Sequence, residues 1–207
     1  MGLVATMTAL LLGLVTASAR STYDAQDAAI KTSSVNILTL DRHLAEYGPE
    51  TKPTRDLIRE AVTFRLAAIW PGDGSSGNFG TSSPVPPIEK IQNQLLSLAP
   101  ATDAQRWLKG EALKLSDEVV KTRWRLLGIT GAIPQMFIFV VIFWLTVTFA
   151  SFGLYAPRNA TVLGVLFFAA LSVALALFLI VELDGPFEGL IKVSSAPVRF
   201  TIENLGK

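Results

Sequence analysis

The sequence predicts an all-α integral membrane protein with three transmembrane helices and a helical domain on the cytoplasmic side. Leu126 to Pro157 contains no Asp, Glu, Lys, Arg or His, and a second charge-free run extends from Asn159 to Val181. A hydrocarbon core about 30 Å thick takes roughly 20 apolar residues in a helix, so each run is long enough to cross. Composition agrees: half the residues are apolar and 17% are charged, and mean hydropathy is +0.44.

The same composition narrows the function. A formal net charge of +1 lacks the basic face that a nucleic-acid binder carries. With no cysteine, disulfides, thiolate chemistry and Cys-based metal sites are excluded. One histidine, His43, is too few for a histidine metal or catalytic cluster, and it reads as an ordinary helix-surface residue. No nucleophile with a base and no phosphate loop is legible. The expectation is therefore a protein that is not an enzyme and takes no cofactor or metal. Its expected partners are the lipid bilayer, other copies of the chain and inorganic ions, with any protein partner unknown.

Residues 1–20 have two readings. Ala17-Ser-Ala19 looks like a signal-peptidase site, but no positive n-region precedes the apolar run. The other reading, which is preferred, is transmembrane helix 1. Ala5, Ala9, Gly13 and Ala17 recur every four residues and form a small-residue ridge along which another helix can approach closely in lipid.

Residues 21–125 read as the cytoplasmic helical domain. Ala25, Ala28, Ala29, Ile37, Leu40 and Leu44 return at spacings of three and four, the mark of an amphipathic helix continuing the first span into water. Gly48-Pro49 should end it, with glycine as a left-handed cap and proline barring continuation. A second helix starts near Pro53, carries Leu57, Ile58, Ala61, Val62, Leu66 and Ile69 on one side, and stops at Trp70-Pro71. In the stretch 71–87, Gly72, Gly74 and Gly77 spell G-x-G-x-x-G. That fingerprint works only between a strand and a helix N-terminus; here a helix precedes it and prolines follow, so the stretch reads as a flexible linker. Ile88 to Leu98 reads as a short amphipathic helix. Thr102 and Gln105 form a capping box that opens a helix running through Trp107, Leu108, Ala112, Leu115, Val119 and Val120 to Trp124. This helix should enter the membrane with little interruption, Pro134 kinking it or starting its spanning part.

Residues 126–184 read as a hairpin of helices 2 and 3, joined by the short turn Tyr155–Asn159. Asn159-Ala-Thr161 is formally a glycosylation sequon and is read as part of that turn. Residues 185–207 form an amphipathic tail whose Ser194-Ser-Ala-Pro197 reads as a helix start. Arg20, Lys121, Arg123, Arg125, Lys192 and Arg199 flank one side of the spans, whereas only Arg158 lies on the other. The positive-inside rule then places the helical domain and the C-terminus in the cytoplasm.

Two groups of residues are candidates for function. Glu182 and Asp184 sit at a helix C-terminus, where acids are unfavourable, and Arg123 and Arg125 precede a spanning helix, also with the wrong sign for its dipole. One reading pairs them as an acid–base belt fixing the depth of the hairpin. The other makes the acids a pore mouth or a cation-binding edge, since ionisable groups at membrane depth often mark ion pathways. Aromatics including Phe137, Phe139, Phe143, Trp144, Phe149 and Phe152 cover several faces of helix 2. Lipid contact and hairpin packing account for most of them. In an oligomer the stripe Phe137, Phe139 and Phe143 would make an apolar constriction of the kind that gates by dewetting.

Several phrases point to one family: Gly2-Leu-Val-Ala-Thr-Met-Thr-Ala-Leu10, Ser21-Thr-Tyr-Asp24, Leu40-Asp-Arg-His-Leu-Ala-Glu-Tyr-Gly-Pro-Glu50, Ile69-Trp-Pro71, Trp144-Leu-Thr-Val-Thr-Phe-Ala-Ser-Phe-Gly-Leu154, Ala156-Pro-Arg-Asn159 and Glu182-Leu-Asp-Gly-Pro-Phe-Glu-Gly189. With them the chain resembles, nearly end to end, the bacterial bestrophin-like domain proteins. The resemblance implies kinship with bestrophins, which are pentameric anion channels with a narrow apolar neck, and a place in the bacterial inner membrane as a multi-pass protein. The calcium clasp and neck residues of bestrophins have no residue-by-residue match here. Members of the family commonly carry a further apolar helix and a polar linker before the Gly2 phrase, so the resemblance implies a shortened form or a start set downstream. The function expected is an oligomeric ion channel or channel-like protein, with anions implied by the resemblance alone. The alternative is a non-conducting membrane scaffold or sensor whose helical domain binds a partner.

Overall fold

The computed structural model describes residues 2–70, 88–129, 135–157, 159–185 and 191–207, and within these ranges the side chains of 2–5, 8, 127–129, 135, 137 and 184 lie outside the description. Among the described residues all regular structure is helical: α1 (Gly2–Tyr47), α2 (Lys52–Ile69), α3 (Ile88–Ser97), α4 (Asp103–Ile129), α5 (Gln135–Tyr155), α6 (Ala160–Asp184) and α7 (Ala196–Asn204). A 3-10 turn, Pro49–Thr51, joins α1 to α2. The chain divides into two compact units, one of Met1–Ala25 with Ile129–Lys192 and one of Gln26–Gly128 with Val193–Lys207. The stretch 71–87, read above as a linker, and Pro134 lie outside the described residues.

The number of spans differs from expectation. Two helices among the described residues, Ile138–Tyr155 and Ala160–Leu183, are long and apolar enough to cross a membrane, where three were expected. Residues 2–20 are helical as the opening of α1, and the charges that begin at Arg20 and Asp24 end the uncharged run.

α1 is continuous because no proline interrupts it from Gly2 to Tyr47. It ends at Gly48, whose φ of 147° with ψ of 172° is a conformation that glycine alone adopts without steric cost. The cap is thus positive in φ as expected, but extended rather than left-handed helical. Pro49 then blocks continuation. Thr51 is fully buried, and its Oγ1 lies 2.5 Å from the Leu44 carbonyl and 2.7 Å from the Gly48 carbonyl. One hydroxyl proton therefore serves two of the carbonyls that a helix end leaves without partners.

In the second unit, the helical periodicity read from the sequence becomes a core. Leu40 and Leu44 of α1 meet Ile58 and Val62 of α2, Ile91 and Leu95 of α3, Ala112 of α4 and Leu205 beyond α7. The capping box at the start of α4 forms in both directions. The Gln105 amide donates to Thr102 Oγ1 at 3.1 Å, and Gln105 Oε1 accepts from the amides of Ala101 at 2.9 Å and Thr102 at 3.4 Å. Gln105 Nε2 also donates to the Tyr47 carbonyl at 2.9 Å, so this cap ties α4 to the end of α1. The Trp70 indole donates to the Val193 carbonyl at 2.8 Å, which satisfies a buried N–H and anchors the segment leading into α7.

An ion pair closes this unit. Arg55 of α2 grips Asp41 of α1 with two bonds, Nε to Oδ1 at 2.7 Å and Nη2 to Oδ2 at 2.9 Å. Asp41 Oδ2 also accepts the Gly206 amide at 3.1 Å, and Arg55 Nη2 reaches the Lys207 carbonyl at 3.4 Å. Asp41 is buried, so its hydrogen bond and charge hold the Arg55 guanidinium above its ordinary pKa despite partial desolvation. Fork-to-carboxylate geometry of this kind is the strong form of the interaction.

Asp41→Asn and Arg55→Gln are each expected to lower the unfolding free energy by about 3–5 kcal/mol, because each leaves a desolvated charge without its partner. Chemical denaturation of the purified protein in detergent checks this. The double variant should lose less than the two single losses added together, and strict additivity would contradict the coupling. Tyr47 supplies a second test. Its buried hydroxyl has no hydrogen-bond partner among the described residues, and burial, helped by the Glu50 charge, raises its pKa above 10.0. A raised folded-state pKa gives stability that is fully present below the unfolded value and is lost as pH climbs through the folded one. Tyr47→Phe should therefore match or exceed the wild-type melting temperature at pH 8 and decline less steeply above pH 10.

Candidate functional site

Most of the candidate residues lie in or beside the hairpin. α5 and α6 are joined by Ala156–Asn159, and Asn159 caps α6, its side chain accepting from the Thr161 amide at 3.2 Å. Both helices are apolar on every face, yet only 6% of either spanning stretch is buried within the chain. Phe139 is 67% exposed, Phe143 63% and Phe168 67%. A helix apolar all round needs apolar surroundings on all sides, and here the chain does not supply them.

The polar atoms of the hairpin fit the same picture. Thr146 donates to the Ile142 carbonyl at 2.8 Å, Thr148 to Trp144 at 2.8 Å and Ser172 to Phe168 at 2.9 Å. Each hydroxyl is satisfied one turn back in its own helix, which is the arrangement required where no water is available.

The first unit packs on a small core. Ala19 of α1 is completely buried against Ile180 and Leu183 of α6, with Leu12, Val15, Tyr23, Ile138, Leu177 and Ile191 around them. The face of α1 used here is Leu12–Val15–Ala19–Tyr23. The predicted ridge is a different face: Ala9, Gly13 and Ala17 are exposed, and the side chain of Ala5 lies outside the description. One end of this unit carries a polar rim. Arg20 pairs with Asp24 at 3.0 Å, and its guanidinium sits 5.7 Å from the centre of the Tyr23 ring. The Tyr23 hydroxyl donates to the Lys192 carbonyl at 3.2 Å. Glu182 accepts the Ile191 amide at 3.0 Å. A tyrosine with its ring on an apolar core and its hydroxyl among charges is the interfacial pattern of a membrane-embedded unit.

The predicted acid–base belt is distributed over both units. Glu182 belongs to the first, where it holds the returning backbone at Ile191, and the side chain of Asp184 lies outside the description. Arg123 and Arg125 belong to the second and are exposed on α4. Their neighbour Lys121 pairs with Asp117 at 2.7 Å and Glu118 at 3.2 Å. Of the aromatic stripe, Phe139 and Phe143 are exposed, Phe143 meets Trp144 edge to face at 6.3 Å, and the side chain of Phe137 lies outside the description. His43 is a half-buried residue of α1. Its ring stands edge-on to Trp107 at 5.6 Å, and its Nδ1 is buried with no hydrogen-bond partner among the described residues. No group of three or more His, Cys, Asp or Glu side chains among the described residues could hold a metal ion.

Sequence reasoning missed the Tyr23–Lys192 and Glu182–Ile191 bonds. Residues 23 and 192 are 169 positions apart, and no local pattern announces such a contact.

Among the described residues all regular structure is helical, and the hairpin turns apolar side chains outward as a pair of membrane-crossing helices would. The chain belongs to the Bestrophin-like domain family, whose model matches residues 1–198. No curated protein and no solved structure matches it.

Because Ala19 is fully enclosed, Ala19→Leu is expected to overpack the contact between α1 and α6 and cost about 1–3 kcal/mol. Thermal melting of the purified protein reads that loss. Ala17→Leu, on the exposed ridge, should leave the melting temperature of the isolated chain within a degree or two of wild type.

Proposed function

We propose that this protein is an oligomeric channel or channel-like protein of the bacterial inner membrane, conducting anions as its bestrophin-like family suggests. The observation that supports it is the pair of helices, α5 and α6, that are apolar on every face and left open by their own chain. Lipid covers part of that surface and further copies of the chain cover the rest. In this reading residues 1–20 add a third span, the exposed side chains of Phe139 and Phe143, with Phe137, form an apolar constriction on the oligomer axis, and Glu182 marks the cytoplasmic mouth. The basic residues Arg20, Arg123 and Arg125 keep the helical unit in the cytoplasm. No substrate chemistry is assigned.

A second reading, a non-conducting scaffold or sensor, is favoured by Trp107 and Leu96, each 59% exposed on the helical unit. One preparation separates the two. Full-length protein reconstituted in a planar bilayer under a salt gradient should show a current reversing toward the anion potential. Its mass in detergent should be a multiple of the 22.3 kDa chain. Phe143→Ala should then raise the conductance. An intact oligomer that stays silent across the voltage range supports the scaffold instead. Orientation is tested in whole cells: a cysteine at Asn93 should be shielded from an impermeant thiol reagent, and one at Ala156 should react. The reverse pattern would turn the topology over.

A further inference from the structure

The helical unit holds a cavity of about 40 Å³ that packing leaves open at the meeting point of α1, α2, α3 and α4. Its wall is made by core side chains, Leu40, Ile58, Val62 and Ile91, and its two polar contributors are Arg65 and Ser116. Ser116 is 2% exposed. Among the described residues neither it nor Arg65 makes a hydrogen bond or ion pair. The guanidinium is thus partly buried and without a partner among the described residues. Burial first, and Arg123 second, push the Arg65 pKa below its ordinary value. A partly desolvated guanidinium on the wall of a cavity, with no partner among the described residues, leaves a place for an anion.

The shape restricts which anion. The wall is apolar, so a fully hydrated inorganic ion would lose its water for few new bonds, whereas an alkyl group entering there is favoured at about 0.8 kcal/mol per CH₂. On this volume measure one water-sized group fills roughly 10–15 Å³, so the enclosed space takes about three or four carbons. The planar fork of arginine matches a carboxylate with two parallel bonds, and the Ser116 hydroxyl is a further donor on the same cavity. We propose that this cavity binds a short-chain aliphatic carboxylate, its tail among Leu40, Ile58, Val62 and Ile91 and its head on Arg65. The site lies within the helical unit and is independent of whether the hairpin conducts.

The test is calorimetric titration of the full-length protein in lipid nanodiscs with propionate, butyrate, hexanoate and dodecanoate, and with 1-hexanol and chloride as controls. One site per chain is expected, with affinity rising about fourfold per added carbon, the equivalent of one buried CH₂, and levelling off between butyrate and hexanoate. Hexanol and chloride should each bind at least about tenfold more weakly than hexanoate, having lost the charge-assisted bonds or the tail. Arg65→Gln should bring hexanoate down to the level of hexanol, and Ala61→Leu, which fills the cavity from its lining, should abolish the heat of binding. If Arg65→Gln fails to fold, the comparison of hexanoate with hexanol on the wild-type protein decides alone. Equal binding of hexanol, equal binding of chloride, an affinity that keeps climbing through dodecanoate as for a membrane-derived fatty acid, or no saturable heat at all would each overturn the proposal. Because the readout requires no ion flow, any of these results leaves the channel reading untouched.

Discussion

The constraint on which the rest depends is that α5 and α6 leave most of their apolar surface uncovered by their own chain. A helix apolar around its whole circumference is unstable in water wherever it is uncovered. The chain must therefore deliver both helices to an apolar medium with every polar atom already satisfied. The self-bonded hydroxyls of Thr146, Thr148 and Ser172 and the Asn159 cap meet this condition within the helices. The charges are confined to the ends. Arg20 and Asp24 neutralise each other, and Glu182 is occupied by a backbone amide.

The helical unit follows the opposite rule. Its helices are amphipathic, and they bury Leu44, Leu95 and Leu205 almost completely while their outer faces carry short-range ion pairs such as Lys121–Asp117 and Lys114–Glu111. Such exposed pairs contribute little to stability. The interactions that set the arrangement of helices are the buried ones: Arg55 on Asp41, Trp70 on Val193, and Thr51 beneath the turn after α1. Each joins an element to another distant in sequence or closes an otherwise open helix end.

What the sequence made legible follows from the range of the forces concerned. Helix existence, the break at Gly48-Pro49, the capping box of Thr102 and Gln105 and the two apolar runs are local patterns, and all four appear in the structure. The family was legible from its phrases. The contacts of unlike residues across long gaps were not. Nothing local marks Asp41 as a buried anchor, because its two partners, Arg55 and Gly206, are reached only through tertiary folding. The contact of His43 with Trp107 was hidden for the same reason, since Trp107 lies on another helix. The small-residue ridge illustrates a different limit. Spacing identified a face capable of close approach, but α1 meets α6 through Ala19 and larger neighbours, and spacing alone does not say which face is used.

The link between Asp41 and Gly206 spans 165 residues, and Leu205 completes a core whose other members end at Ala112. Between them in the chain lies the whole hairpin. During synthesis the ribosome therefore makes α5 and α6 before the helical unit has its last core residue and the second set of bonds on its central carboxylate. Closure of a loop this long is entropically slow, and until it happens Leu40, Leu44 and Ile58 remain incompletely covered. The chain order therefore leaves the helical unit to be completed only after the hairpin has been made, so a fault in the hairpin would register as misfolding of a unit that contains neither of its helices.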